Sequence, residues 1–220
     1  CADMASFTEE NYLKIIYNLS TQQEEDISTN ALAEQTQTRA ASVTDMLRKL
    51  AEKNLIHYKK YQGVRLTDNG ERVALQVIRK HRLWEVFLVE KLGFRWDEVH
   101  PLAEELEHID SPELIEKLDA FLGHPTADPH GDPIPDPTGR MPQPGYARLT
   151  DAEPSEPVVL MGVSEHAAAF LQYLAKTGLT IGCQLEVVDV NAFDGSVQVT
   201  VNGQPPLFIS QAVARNLLVR

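Results

Sequence analysis

The sequence predicts a mainly α protein with a C-terminal β domain, built in three parts: an N-terminal winged helix-turn-helix, a helical middle and a small β unit. Three observations point there. Residues 7–54 hold three short helical patterns, with a tight break between the second and third. Residues 55–70 alternate apolar and polar side chains around turn residues. After residue 150 the helical period gives way to short alternating runs.

FTEENYLKIIYNLS, residues 7–20, sets Tyr12, Ile15, Ile16 and Leu19 at helical spacing, with Thr8 as the expected N-cap. STNALAEQ opens a second helix capped by Ser28. TQTRA breaks it, and Ala41 to Asn54 then carries Val43, Leu47 and Leu50 on one face. Two short helices joined by a tight turn, the second basic on its outer face, form a helix-turn-helix. LIHYKKYQGVRLTDNGERV follows as a hairpin turning at Tyr61-Gln62-Gly63 and ending in a turn at Asp68-Asn69-Gly70, which completes the wing. A long amphipathic helix is expected over Glu71–Leu92, with Val73, Val77, Trp84, Phe87, Leu88 and Leu92 on its apolar side. Further helices are expected over Trp96–Glu107 and Ser111–Leu122.

Residues 123–150 are rich in Pro, Gly and Asp and read as a linker or extended loop containing a domain boundary. Beyond it, strands are expected over Pro157–Val163, Gln184–Val190, Ser196–Val201 and Pro206–Ile209, with a short helix over Glu165–Ala175. About 65 residues of this kind are in the range where a small barrel is stable. The expected domains are 4–72, 73–142 and 150–220.

The net charge of −12 argues by itself against a nucleic-acid partner. The distribution reverses that. Between Arg39 and Arg82 eleven basic residues face four acidic ones, an excess of seven positive charges that leaves −19 for the rest. A basic module is carried on acidic ones. No run approaches a membrane span, no signal-peptide pattern opens the chain, and Cys1 and Cys183 have no metal-type spacing, so the reading is cytoplasmic with no membrane partner. CAD before Met4 is set aside as an atypical start.

HPLAEELEH, residues 100–108, places His100, Glu104, Glu107 and His108 on one helical face about 100° wide, with Leu102 and Leu106 opposite. RKHRLWE sets His81 and Glu85 one turn apart on the long helix. A short Gly-containing turn between the two helices makes them antiparallel neighbours whose His/Glu stripes can face each other. Imidazole plus carboxylate, without thiolate, suits Mn, Fe(II), Zn, Ni or Co. The pattern alone leaves three readings open: a solvated surface, a metal site, or a dinuclear carboxylate–histidine enzyme. Neither an H-E-x-x-H pattern nor a Ser/His/Asp arrangement is present to support the enzyme.

The winged helix, RKHRLWE, EVHPLAEELEH and HPTADPHGDPIP occur in the order that resembles the DtxR/MntR family of metal-dependent transcriptional repressors. The resemblance covers nearly the whole chain, and its C-terminal unit is similar to the FeoA-type small β-barrel of the longer members. It implies a homodimer with a winged helix, a helical dimerisation and metal domain, and the barrel. Such a protein binds double-stranded operator DNA when loaded with divalent metal, and has neither an enzymatic activity nor a small-molecule substrate. On matching motifs, Glu104, Glu107 and His108 correspond to the primary metal helix, and His81 to the long-helix histidine. Glu85 and His100 correspond to the second metal position. Asp128 and His130 match a segment where some members use Cys and His, and Glu165 or His166 is the nearest barrel ligand. Iron-type members carry Cys where Glu104 stands. A hard carboxylate there ranks Mn2+ first and Fe2+ next, with Zn2+, Co2+ or Ni2+ able to bind in vitro. One departure stands out: manganese-type members have Asp where this chain has Asn11, beside Glu10. Each residue also has a plainer reading: Asn11 as a cap or solvent-facing amide, Asp128 as turn chemistry, His124 as a loop residue, Glu165 and His166 as helix-start residues.

The recognition helix is expected to start near Arg39. Its outer face carries Ser42, Thr44, Asp45, Arg48 and Lys49; Arg39, Ser42, Thr44 and Arg48 would approach the major groove, and Lys59, Lys60 and Arg65 would meet phosphates. A winged-helix regulator without a metal switch is the further alternative.

Overall fold

In the computed structural model, which describes residues 5–21, 26–59 and 62–220, the chain forms two compact units. The first comprises residues up to His81 with Glu105–Ser111 and Pro135–Met141; the second comprises Arg82–Glu104, Pro112–Ile134 and Pro142–Arg220. These units cut across the boundaries expected at 72/73 and near 142.

The first unit opens with α1 (Phe7–Ser20). Its N-cap is Ser6 rather than Thr8: the Ser6 hydroxyl accepts from Glu9 N, and the Glu9 carboxylate accepts from Ser6 N, a reciprocal capping box. Helix α2 (Thr29–Gln35) is capped by Ser28, as expected, and α3 (Ala40–Glu52) follows after a turn in which Gln37 adopts φ of 51°. The wing is the antiparallel pair β1 (Ile56–Lys59) and β2 (Gly63–Leu66). Leu13, Ile16, Leu32, Val43, Leu47 and Leu50 are fully buried in one core. The turn expected at 68–70 is instead the first turn of α4 (Asp68–Glu90). The Thr67 hydroxyl accepts from Gly70 N at 3.1 Å, so Thr67 caps a helix that the expected turn residues begin.

Helix α5 (His100–Leu106) is shorter than the expected 96–107 helix, and α6 is Pro112–Phe121. Glu107 and His108 therefore lie in a turn beyond α5. The burial also differs from expectation: Ala103 and Glu107 are fully buried, whereas Leu102 and Leu106 are only half-buried.

The Pro-rich segment is no loose linker. Asp128, His130, Gly131, Ile134 and Pro135 are buried, and Ala127 bridges Pro133. In the second unit Asp128 Oδ1 accepts from His130 N (2.7 Å) and Asp132 N (3.1 Å). In the first, Asp136 Oδ1 accepts from Thr138 N and Arg140 N. Asx turns and prolines hold irregular backbone in place where a ladder cannot form. The Arg79 guanidinium donates to Pro135 O at 2.6 Å in the first unit, and Arg82 donates to Pro133 O in the second.

The C-terminal part of the second unit is a six-stranded antiparallel sheet ordered β3-β8-β4-β5-β6-β7. Its strands are β3 (Ala147–Arg148), β4 (Pro157–Val163), β5 (Gln184–Val190), β6 (Val197–Val201), β7 (Leu207–Ile209) and β8 (Leu217–Val219). Helices α7 (Ala168–Thr177) and α8 (Gln211–Ala214) complete it. Alternate residues Leu185, Val187, Val197, Val199 and Val201 turn into one core with Leu171 and Leu174 of α7.

Candidate metal centres and nucleic-acid interface

In the second unit, α4 supplies Glu85 and the Pro-rich segment supplies Asp128 and His130, all buried. One ligand atom from each lies within 4.8 Å of the others. His130 Nε2 bonds the carbonyl of Trp96 at 2.8 Å, and because a carbonyl only accepts, Nε2 carries the proton. Nδ1 is thereby directed towards Glu85 Oε2 (3.6 Å) and Asp128 Oδ1 (3.8 Å). This is how metal-ligating imidazoles are held. Gly131 makes the arrangement possible: at φ of 88°, a Cβ there would come within 2.1 Å of Met161 O, while His130 O accepts from Val163 N at 2.9 Å. Burial alone would lower the His130 pKa, but its bond to Glu85 and the Asp128 charge outweigh that and raise it to about 9. Burial, with Asp132 and Glu85 nearby, pushes the Asp128 carboxyl up to about 7. Three acidic groups are thus balanced by a protonated imidazole and by Arg82, which lies 3.7 Å from Asp128 and 3.3 Å from Asp132. Two carboxylates and one imidazole, buried and convergent, fit a divalent cation of hard character.

The remaining expected ligands of this unit are placed around the trio. His100 lies 3.6 Å from Glu85 and 3.4 Å from Glu104, with both His100 and Glu104 more than half exposed. Glu165 is exposed and accepts from Ala167 N at 2.8 Å, a helix-start role. Its neighbour His166 faces the cluster instead: its ring is 4.9 Å from that of His130, and Nε2 is 3.7 Å from Asp132. Burial lowers the His166 pKa, and Nε2 donates to Val163 O at 3.2 Å, which leaves Nδ1 as the unprotonated nitrogen of the neutral ring.

In the first unit a chain of ion pairs runs through the other matched residues. Glu107 is fully buried and takes Lys14 Nζ on Oε1 and His81 Nδ1 on Oε2, each at 2.5 Å. His108 Nδ1 donates to Glu10 Oε2 at 2.6 Å, and His108 Nε2 is 3.6 Å from Glu107. Lys80 Nζ is 4.0 Å from Glu10, and Asn11 is half-buried on the same turn of α1. Burial would raise the Glu107 pKa, but the bond from His81 and the Lys14 charge hold it below the usual carboxylate range. The donors come from three separate elements, and a cation of the chain itself, Lys14, sits among them.

Of the residues expected to meet DNA, Arg39, Ser42, Arg48 and Lys49 of the α3 region are exposed, with Arg48 3.3 Å from Asp45. The Thr44 hydroxyl is bonded back to Ala40 O at 2.9 Å. Lys49 reaches Glu9 at 2.9 Å. On the wing Lys59 is exposed and Arg65 pairs with Asp26; Lys60 lies outside the described residues.

Three residues of these networks escape the sequence reading, Lys14, Asp132 and Glu9; of the pair Glu165 or His166 that it left open, His166 is the one that faces the cluster. The repeated carboxylates of DPHGDP were the one visible signal for Asp132. Glu9 and Lys14 look like ordinary solvated helix residues.

Comparison with known proteins gives three family matches in order along the chain. Residues 4–64 match the N-terminal DNA-binding domain of iron-dependent repressors, 67–136 their metal-binding and dimerisation domain, and 147–220 the FeoA domain. The iron-dependent repressor IdeR of Mycobacterium tuberculosis is 31% identical over 180 residues, 77% of each chain. A solved manganese-dependent transcriptional repressor in complex with manganese is 36% identical, with a TM-score of 0.84 over 96% of this chain and 98% of its own. ScaR with bound Zn2+ is 33% identical, with a TM-score of 0.76 over 96% of this chain and 98% of its own.

Proposed function

The chain belongs to the iron-dependent repressor family of metal-dependent, DNA-binding transcriptional regulators, and from that premise we propose that it is a manganese-responsive repressor of metal-homeostasis genes. The family is one of repressors, so the dinuclear enzyme is set aside. The observation that carries the proposal is the buried Glu85–Asp128–His130 trio, whose donor atoms converge and whose imidazole is oriented by Trp96 O. Its oxygen-rich, thiolate-free composition ranks Mn2+ first and Fe2+ next, with Zn2+, Co2+ and Ni2+ as in-vitro substitutes. The proposed ligands are Glu85, Asp128 and His130, with His166 and His100 beside them, in the second unit. In the first they are Glu10, Glu107 and His108, with Asn11 and His81 beside them; Glu104 stays with His100 in the second unit.

When bound, a divalent cation supplies a charge that several carboxylates and imidazoles share. The chain's part is to carry those donors on separate elements: Glu10 on α1 of the DNA-binding module, His81 on α4, and Glu107 and His108 in the turn after α5. Drawing them together favours one placement of α1, so metal and DNA raise each other's affinity by the same factor. Residues 4–72 would read the operator, with Arg39, Ser42 and Arg48 at base edges and Lys59, Lys60 and Arg65 at phosphates. Residues 73–142 would dimerise and bind metal, and 150–220 would form the FeoA-like domain.

The partner proposed for the helical part is a second copy. Leu114 and Phe121 of α6 and Leu92 just past α4 are exposed, and the Phe87 ring lies 6.4 Å from that of Phe121. The described residues contain no helix long and apolar enough to cross a membrane, in keeping with a cytoplasmic setting. The deciding experiment is capture of fragmented genomic DNA by the purified protein in Mn2+ and in EDTA. Enrichment of a few discrete fragments only in Mn2+ is expected. Equal enrichment in both would leave a regulator without a metal switch, and none in either would remove the repressor reading.

A further inference from the structure

The recognition helix has no contact of its own with the His/Glu chain among the interactions described, yet α1 touches both, on two faces. Glu9, Tyr12 and Ile16 lie on one face; Glu10 and Lys14, one turn apart, lie on a face about 150° round. The first face grips α3 at both ends. At its C-terminal end, Glu9 Oε1 meets Lys49 Nζ at 2.9 Å and Glu9 Oε2 meets Lys53 Nζ at 3.0 Å. Before its N-terminus, the Tyr12 hydroxyl meets the Thr38 hydroxyl at 3.4 Å. The second face holds His108 through Glu10 and Glu107 through Lys14.

Glu9 is the notable member. It is a fully buried carboxylate that no metal or DNA role uses. Burial would raise its pKa, but Lys49, Ser6 and Lys53 together hold it below the usual carboxylate range, so it is charged at neutral pH. A buried charge with two lysine partners and a capping bond is held to a narrow set of positions, because losing any partner leaves it poorly compensated. Glu10 is the next residue on the same helical turn, so a displacement of one carboxylate carries the other with it.

We propose that Glu9 is a positioning residue that conveys the state of the Glu10–His108–Glu107 site to the recognition helix through Lys49 and Lys53. This rests on the reading given under Proposed function. Without the Glu9 clamp, α1 can respond to the site while α3 keeps its unliganded distribution, and the two binding events lose their linkage.

The test measures linkage and not stability. Mn2+ affinity is determined by calorimetry for the wild-type chain, Glu9→Gln and Lys53→Met. Each is measured alone and with the duplex most enriched by the wild type in Mn2+. The expected result is a DNA-free Mn2+ affinity within about twofold of wild type in both variants, with the DNA-induced gain in Mn2+ affinity falling about tenfold. The double variant should lose no more than Glu9→Gln alone, since the Lys53 pair is already gone once Glu9 is neutral. Lys53→Met leaves the Ser6–Glu9 capping box in place, so it stands in if Glu9→Gln fails to fold. A merely structural role would lower the melting temperature and leave the gain unchanged. A gain retained in Lys53→Met overturns the inference alone; a wild type with no gain overturns the repressor reading, and the inference with it.

Discussion

Lys14→Met is the perturbation whose sign the first unit makes plain. Lys14 Nζ sits 2.5 Å from Glu107 Oε1, with Glu107 fully buried and the lysine side chain 12% exposed. A hydrogen bond to a charged group contributes roughly 1.5–3 kcal/mol. In the metal-free chain the substitution leaves Glu107 with His81 as its main compensation, so the fold loses about that amount and melts several degrees lower. A divalent cation approaching Glu107 meets the opposite situation, since no ammonium has to be displaced. The same 1.5–3 kcal/mol then emerges as a gain of about 10- to 100-fold in Mn2+ affinity at this site. The assay is Mn2+ titration against a competing chelator, paired with thermal melts in EDTA and in saturating Mn2+. The expected signature is a lower melt in EDTA and a larger Mn2+-induced upward shift. Unchanged or weaker Mn2+ binding, with the EDTA melt lowered as expected, would show that Lys14 does not compete for the carboxylate, and the reasoning fails.

Four further outcomes are expected. Glu107→Ala or His108→Ala should remove most metal-dependent DNA binding, read by fluorescence anisotropy in Mn2+ and EDTA; a full metal response in either variant would take that residue out of the proposed site. His130 has a raised pKa, so the stability from its protonated pairing is complete below about pH 6.5 and lost as the pH climbs through about 9. The raised Asp128 acts at lower pH: its contribution falls as the pH rises from 3.8 to about 7, so the decline above pH 7 reports His130. The metal-free chain should therefore melt progressively lower from pH 7 to 9 while the Mn2+-induced shift grows, with proton release visible as buffer-dependent calorimetric heats; a flat profile would mean the trio is not the site that fills. Operator affinity should drop steeply between low and high salt through phosphate contacts of the wing and α3, and a salt-independent affinity would move the DNA surface elsewhere. Phe121→Glu should shift the chain towards monomer in light scattering, since a charge would replace an exposed ring beside Phe87.

Much of the architecture is legible in the chain. Val43, Leu47 and Leu50 recur at helical spacing and are the buried face of α3, and the Ser28 cap is read from one residue. The misreadings are local competitions that a single pattern cannot arbitrate. Asp68-Asn69-Gly70 is good turn chemistry, but Thr67 turns it into a helix start. HPLAEELEH carries a helical stripe to its end, but the helix stops at Leu106, and only then can Glu107 turn fully inwards. Residues 123–150 have the composition of a linker, and their fixation depends on Asx turns and on arginines more than fifty residues away in sequence.

The sequence by itself determined the winged helix, the basic module on an acidic chain, the His/Glu spacing and, through its motifs, the family. These follow from short-range regularities: periodicity, caps and charge runs report what neighbouring residues do. Which donors meet was decided by the tertiary structure. Glu85 joins Asp128 and His130 across more than forty residues, His166 and not Glu165 faces that cluster, and Glu107 is shared by Lys14 and His81. A coordination set depends on distances between segments far apart in the chain, and those are set by which buried charges can be compensated and which backbones can approach, as Gly131 does at Met161.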